Sequence, residues 1–460
     1  MKVIKKPYLK STSFQLLQNW SVRYLLESRF SYNEKYDLAP IGSFLTKSRN
    51  KVSIEDDKSY QRVTVKINNG GVFPRDIEIG EKIGTKTQFE IKSGQFLMSK
   101  IDARNGAFGL IPANLEGAIV TNDFPVFDVD SSKIIPEFLV LITTTKEFIQ
   151  FAQSCSSGTT NRQRIDNEAF LNVKIPLPSI TEQKRILQSY NSKIALAKEQ
   201  EKNAKELEER IDEFLFDKLG INIELEKKEI RRGLRLVSYS KIIEWGTNKI
   251  GLIESINSKY FEITNFDLNE SLYINVFRGK SPQYNEASRD IILNQKCNRW
   301  NSLEIEYARK IDSIWIKNFD KKFFTQEGDI LINSTGEGTI GRASFVRKKH
   351  TGLLYDSHLV LLRLNKSLIN PEYFVILFNS RYGQSQVNNI KSAQTTNQTE
   401  LGVTNLKKIF FPLPPVYIQN EIVEEITGIK IEINNLISES KRNKEQAIIE
   451  FENEIFKPCN

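Results

Sequence analysis

The stretch IPLPSITEQKRI at residues 175–186 returns as FPLPPVYIQNEI at residues 411–422, and this pair decides how the chain is organised. Pro176 and Pro412 stand 236 positions apart, as do Gln183 and Gln419, and Thr160-Asn161 keeps the same offset to Thr396-Asn397. Pro136-Glu137-Phe138 answers to Pro371-Glu372-Tyr373 at an offset of 235, and Gly94 to Gly328 at 234. Residues 13–20, ending in Trp20, resemble residues 238–245, ending in Trp245, at 225. The chain is therefore a tandem duplication, and two copies cover nearly all of it. Recurrence of the tryptophan in both copies favours a packing role for it.

Each copy runs in the same order. Short β-type runs come first, at 62–67 and 117–120 in copy one and at 329–332 and 358–362 in copy two, punctuated by Gly, Asn and Pro turns. Short helices are expected at 137–151 and 372–383. The Pro-Leu-Pro element cannot continue a helix and should close the globular part in an extended segment. A long helix should follow. From Thr181, read as its N-cap, residues Leu187, Tyr190, Ile194, Ala197, Ala204, Ile211 and Leu215 recur on heptad-like spacing. Ile422, Ile426, Ile429, Ile433, Leu436, Ser440, Ala447 and Phe451 form the second seam. Each helix should be about 40 residues and about 60 Å long. A stripe of that length needs a partner: the economical one is the other copy's helix, packed antiparallel, and the alternative is a helix of a second chain. The charged run 198–210 suits a solvated helix face.

Composition narrows the function. The chain has 460 residues, 39% hydrophobic and 27% charged, enough for several folded domains. A net charge of +8 leans toward a polyanionic partner. Cys155, Cys297 and Cys459 form neither a disulfide framework nor a zinc knuckle, and a reducing cytoplasm is expected. Residues 1–10 are basic and polar, no apolar run reaches about 18 residues, and neither secretion nor a membrane span is expected. With only His350 and His358, histidine metal sites and Ser-His-Asp triads are hard to assemble.

Two divergent globular parts, each followed by Pro-Leu-Pro-x-x-x-x-Gln and a long helix, resemble the specificity subunit of Type I restriction-modification systems over essentially the full chain. Besides the repeated motif, residues 94–109 (GQFLMSKIDARNGAFG) and 60–66 (YQRVTVK) carry the resemblance. It implies a mixed α/β (α+β) fold in a pseudo-twofold duplicated chain. Two tandem target recognition domains, 1–178 and 220–414, would be separated by two long antiparallel coiled-coil-like helices, 179–219 and 415–457. It also implies that each domain reads half of a bipartite double-stranded DNA target, and that the helices set the gap and dock two modification subunits. Restriction and motor subunits would join through these where present. No catalysis and no cofactor are expected in this chain; methyl donor and ATP would belong to the partner subunits. Because the globular parts differ, the half-sites should differ.

Within the recognition domains, polar and basic loop residues are the candidates for DNA contact: Arg to guanine, Asn to adenine, Lys mostly to phosphate. In the first domain these are Arg62, Lys66, Arg75, Lys100, Arg104, Asn105, Arg162 and Arg164. In the second they are Arg278, Lys280, Arg299, Asn333, Ser334, Thr335, Arg342, Lys348 and Lys349. Each residue type is equally at home as a solvated surface charge. Asn161 and Asn397 repeat between copies, which suits a structural role better than base reading. The basic segment 227–235 could touch phosphate or serve as a linker. Trp300, Trp315, Tyr24 and Phe73 could stack on bases but are read mainly as core.

Competing catalytic signals are weaker. Gly336-Glu337-Gly338-Thr339-Ile340-Gly341 matches a nucleotide-binding string, yet the residues after it read as a strand rather than a helix, so a turn is expected. Asp76, Glu90 and Lys92 could imitate a metal-dependent nuclease cluster, but copy two has no counterpart. A self-sufficient nuclease or methyltransferase, or a coiled-coil adaptor that binds no DNA, are the alternatives.

Overall fold

Proline marks where each globular part stops. Lacking an N–H, it is confined to strand edges and ends, and Lys174–Pro176 pairs antiparallel with Leu38–Pro40, as Phe411–Pro412 pairs with Ile263–Thr264. The computed structural model describes residues 32–145, 148–149, 152, 156–157, 164–222, 257–336, 338–392 and 400–456. Residues 13–20 and 238–245, the basic segment 227–235, Tyr24, Cys155, Asn161, Arg162, Asn397 and Cys459 lie outside them. The chain divides into two compact units, one within Met1–Glu199 with Glu439–Asn460 and one within Gln200–Ser438.

In the first unit a four-stranded antiparallel sheet has the order Leu45–Lys47, Val126–Val129, Phe96–Met98, Phe108–Leu110. Its inner face packs aromatic side chains: Phe96, Phe108, Phe127, Phe148 and Phe170 are at most 2% exposed, with ring centroids 5.6–6.5 Å apart. A second sheet of five strands contains the hairpin Ser59–Lys66 and Gly71–Ile79. Asn68 and Asn69 form its tip with φ of 56° and 58°, the left-handed pair that Asn tolerates and a two-residue hairpin favours. The helix Pro136–Thr143 stops earlier than periodicity predicts. Thr143, Thr144 and Thr145 turn their hydroxyls back onto the carbonyls of Val140, Leu141 and Ile142 at 2.7–2.8 Å, competing with the helical ladder.

The second unit repeats the four-stranded order as Tyr273–Arg278, Leu359–Leu364, Ile330–Asn333, Ala343–Phe345. All six residues of Leu359–Leu364 are buried, including Arg363, which forms a bidentate pair with Asp329 at 2.7 and 2.8 Å. In the first unit the corresponding pair is the buried Gln95 and the exposed Asp128, joined at 2.7 Å. The helix expected at 372–383 is two helices, Pro371–Asn379 and Arg381–Ser392. The break at Ser380 lets Gly383 lie against the Phe378 backbone, where a Cβ would fall 2.3 Å from its carbonyl oxygen.

Both long helices form, as Ile180–Leu219 and Val416–Ile455. The first is capped by Ser179 rather than Thr181: the Glu182 N–H donates to Ser179 Oγ at 3.3 Å. Their heptad seams are the buried stripe. Leu187, Ala197, Ala204, Leu215, Ile422, Ile426, Ser440, Ala447 and Phe451 are each at most 9% exposed. In the first unit the beginning of the first helix lies against the end of the second, with Tyr190 and Phe451 rings 6.4 Å apart and Lys193 paired to Glu450 at 3.3 Å. In the second unit Leu215, Phe216 and Leu219 share a core with Ile422 and Ile426, the reverse ends. The two helices are thus antiparallel in both.

The repeated glutamine explains the motif. Gln183 is fully buried; its amide donates to the carbonyls of Pro178 (2.8 Å) and Lys133 (3.1 Å), and its oxygen accepts from Ile135 N–H (2.8 Å). Gln419 does the same with Pro414, Leu368 and Asn370 at 2.7, 3.2 and 2.7 Å. Each glutamine ties the start of a long helix to the loop that opens the preceding short one.

A charged knot holds the helix ends in the first unit. Glu182 accepts from Arg185, Lys35 and Tyr36, and Glu454 from Arg185, Lys35 and Tyr36. Hydrogen bonds from Arg185 first, then Lys35 and Tyr36, lower the Glu182 carboxyl from 4.5 to about 2. A lowered folded-state value means stability that is present above pH 4.5 and lost as pH falls toward 2. Acid titration of unfolding should therefore show Glu182→Gln less stable than wild type near neutrality, with the two curves merging by about pH 2. Curves that stay parallel down to that pH would refute the linkage.

Candidate nucleic-acid interface

Strand direction gathers side chains at one end of each four-stranded sheet. In the second unit Tyr273–Arg278 and Ile330–Asn333 end there, and Leu359–Leu364 and Ala343–Phe345 begin there, since neighbours are antiparallel. Arg278, Ser334, Thr335, Arg342 and His358 fall on that rim, with Lys280 just beyond. Arg278 donates through Nε to Ser357 O at 3.0 Å and its guanidinium pairs with Glu400, which also accepts from Ser334 Oγ at 3.3 Å. Thr335 Oγ1 and His358 Nδ1 are 2.6 Å apart. Beneath them Asp356, 3% exposed, accepts from the His358 N–H at 3.0 Å, and burial raises its carboxyl pKa.

The glycine-rich string is a hairpin loop on this rim. Gly336, Gly338 and Gly341 take φ of 101°, 74° and 83°, and the strand Ala343–Phe345 follows directly, as expected of a turn and not of a phosphate-binding helix. Arg342 lies over Trp300 with 5.8 Å to the ring centroid, and Trp300 is 44% exposed, so it is not core.

Register transfers the rim to the first unit. Phe127 faces Lys47 as Leu362 faces Val276, which sets Arg49 in the place of Arg278. Lys100 N–H donates to Asp123 O at 2.9 Å as Ser334 N–H donates to His358 O at 2.8 Å. Ile165 N–H donates to Lys100 O at 3.0 Å as Leu401 N–H donates to Ser334 O at 2.8 Å. Arg164, one residue before Ile165, makes a bidentate pair with Asp123 at 3.1 Å. The Arg164 guanidinium holds the Asp123 carboxyl below the usual carboxylate range. Arg104 and Asn105 occupy the neighbouring loop, and the hairpin tip docks on it through Asn68 N–H to Asn105 O at 2.7 Å. Near that tip Lys66 stands 4.0 Å over the exposed Phe73 ring.

Several candidates are placed otherwise than expected. Asn333 and Ser334 are fully buried. Asn333 Oδ1 accepts from Asn298 at 3.0 Å, so its amide completes an interior network and presents no face to a ligand. Lys348 and Lys349 follow Ala343–Phe345 and so lie at the opposite end of the sheet. Arg62 is engaged by Asp76 at 2.6 and 2.8 Å, which also removes Asp76 from any nuclease-like cluster. Arg299 pairs with Glu304 at 3.0 Å and lies 4.7 Å over the Tyr307 ring. Arg75 remains outward, lining with Arg62, Gln88, Thr121 and Phe124 a groove of about 220 Å³. Arg49, His358 and Glu400 were missed. The triplets Arg49-Asn50-Lys51 and Arg278-Gly279-Lys280 hint at the first, at an offset of 229 that the other repeats do not share.

Among the described residues no group of three or more His, Cys, Asp or Glu side chains could hold a metal, and no helix is long and apolar enough to cross a membrane. The family model for the Type I restriction modification DNA specificity domain matches residues 33–209 and again residues 243–443. A protein named as the MjaX specificity subunit of a type I restriction enzyme, from Methanocaldococcus jannaschii, is 32% identical over 24% of this chain and 25% of its own length. The HindI specificity subunit of a type I restriction enzyme from Haemophilus influenzae is 28% identical over 28% of this chain and 30% of its own. The chain thus aligns with under a third of either curated relative. A solved structure described as concerning complex assembly and conformational transition of the type I R-M system covers 92% of this chain and 97% of its own at 14% identity, with a TM-score of 0.58, a likeness of fold.

Proposed function

Since the chain belongs to the Type I restriction-modification specificity family, we propose that it is the subunit that reads DNA for such a complex. It recognises an asymmetric, bipartite double-stranded target, one half-site per unit. The observation that best supports this is the repeated rim: two units of one strand order present unlike side chains at equivalent places. Arg49, Lys100, Arg104, Asn105 and Arg164 are the contacts assigned to the first unit, with Lys66 and Arg75 flanking. Arg278, Lys280, Thr335, Arg342 and His358 are those of the second. The subunit performs no catalysis and holds no cofactor. Two modification subunits docked along the helices supply methyl transfer, ATP-driven restriction subunits join them where present, and the complex works in the cytoplasm.

Methylation profiling of genomic DNA tests this, in cells expressing the chain with a modification subunit against cells lacking the chain. A new adenine-methylated motif of two unlike halves with a fixed unread gap is expected. A soluble complex that leaves no new motif would sink the DNA-reading function and favour the adaptor. Four residues inserted near Gln200 and four near Ser440 lengthen each helix by about 6 Å. At about 3.4 Å per base pair the gap should grow by about one or two base pairs, with both half-sites unchanged.

A further inference from the structure

The two rims are the same scaffold with the charge reversed at one place. Arg164 precedes the residue whose N–H bonds to Lys100 O, and Glu400 precedes the residue whose N–H bonds to Ser334 O. Arg164 is steered by the Asp123 carboxylate through two bonds of 3.1 Å. Glu400 is steered by the Arg278 guanidinium and Ser334 Oγ. Both ends stay open to solvent, the Arg164 side chain 51% exposed and that of Glu400 35%. One position therefore offers only donors in the first unit and only acceptors in the second.

We propose that Arg164 and Glu400 are specificity-determining residues of opposite demand: Arg164 selects a guanine in the first half-site, and Glu400 selects an amino-bearing base, cytosine above all, in the second. The chemistry follows from base edges. A guanidinium fork matches guanine O6 and N7, whereas a carboxylate accepts from the cytosine amino group and repels a base that offers only acceptors there. In each unit the counter-charge holds the reading side chain in one orientation before DNA arrives, so little side-chain entropy is left to lose on binding. Arg278, its charge shared with Glu400, then orients the reader of the second rim as Asp123 does in the first.

The proposal rests on the DNA-reading function above, and the test separates the two. The full complex is prepared with wild-type chain, Arg164→Gln and Glu400→Gln, with Arg164→Lys and Glu400→Asp where the neutral variants fail to fold. Each is profiled for its methylated motif and assayed for binding to duplexes changed at single base pairs of the wild-type motif. Arg164→Gln should lose roughly tenfold or more discrimination at one guanine of the first half-site and leave the second intact. Glu400→Gln should relax one position of the second half-site alone. An unchanged motif, or affinity that falls equally for all sequences, overturns the proposal and leaves these pairs as structural or phosphate contacts. A wild-type complex that yields no motif overturns the DNA-reading function itself.

Discussion

Arg363→Leu should destabilise the second unit by roughly 3–5 kcal/mol, because it strands a carboxylate in the interior. Asp329 is 1% exposed and would keep the Gln326 N–H at 2.7 Å but lose both guanidinium bonds. The carbonyls of Lys322 and Phe324, which accept from Arg363 at 3.3 and 3.1 Å, would lose their donors as well. Leucine regains some apolar burial, but it cannot solvate the charge left behind. Thermal unfolding of the full chain should show the transition of this unit lowered by roughly 6–20 °C. The first unit does without an arginine because its carboxylate is solvated: Gln95 and the exposed Asp128 occupy the corresponding places, joined at 2.7 Å, with Gln95 Oε1 accepting the Lys92 N–H as Asp329 accepts that of Gln326. If R363L melts within about 1 kcal/mol of wild type, the pair does not anchor this sheet.

Gln183→Leu should cost roughly 2–4 kcal/mol, and Gln419→Leu about as much. Each removal leaves one buried N–H and two carbonyls unsatisfied at the junction of short and long helix, and an orphaned buried polar group costs about 1–3 kcal/mol. Leucine is close to glutamine in size, so packing changes little and the loss reports the hydrogen bonds. The two sites lie in different units, so the double variant should lose the sum of the single losses within about 0.5 kcal/mol in denaturant unfolding. Silent single variants would show that the glutamine is kept for another reason, such as subunit docking.

The electrostatic and hydrogen-bond pairs show how far reading from sequence reaches. The motif glutamine is visible as a repeat at a constant offset, and its position just inside a helix that follows prolines already suggests a junction. Its three bonds are not visible, because Lys133 and Ile135 lie about 50 positions away and only chain reversal brings them close. Asn333 has the residue type of an adenine reader. It is interior because Asn298, 35 positions earlier, folds beneath it. Trp300, of a type expected mainly in the core, is exposed for the converse reason: its neighbour Asn301, at φ 61°, reverses the chain and leaves the ring outside.

Sequence alone determined the duplication, the proline stops, the two long helices and their buried seams, because these depend on spacings of three to seven residues and on backbone limits local to each residue. Tertiary structure alone decided which of the many basic residues share a rim, that Arg49 answers to Arg278, and that Arg164 answers to Glu400 with opposite charge. Those facts depend on register between segments tens of positions apart, and a strand's own sequence carries its alternation but not the identity of its neighbour.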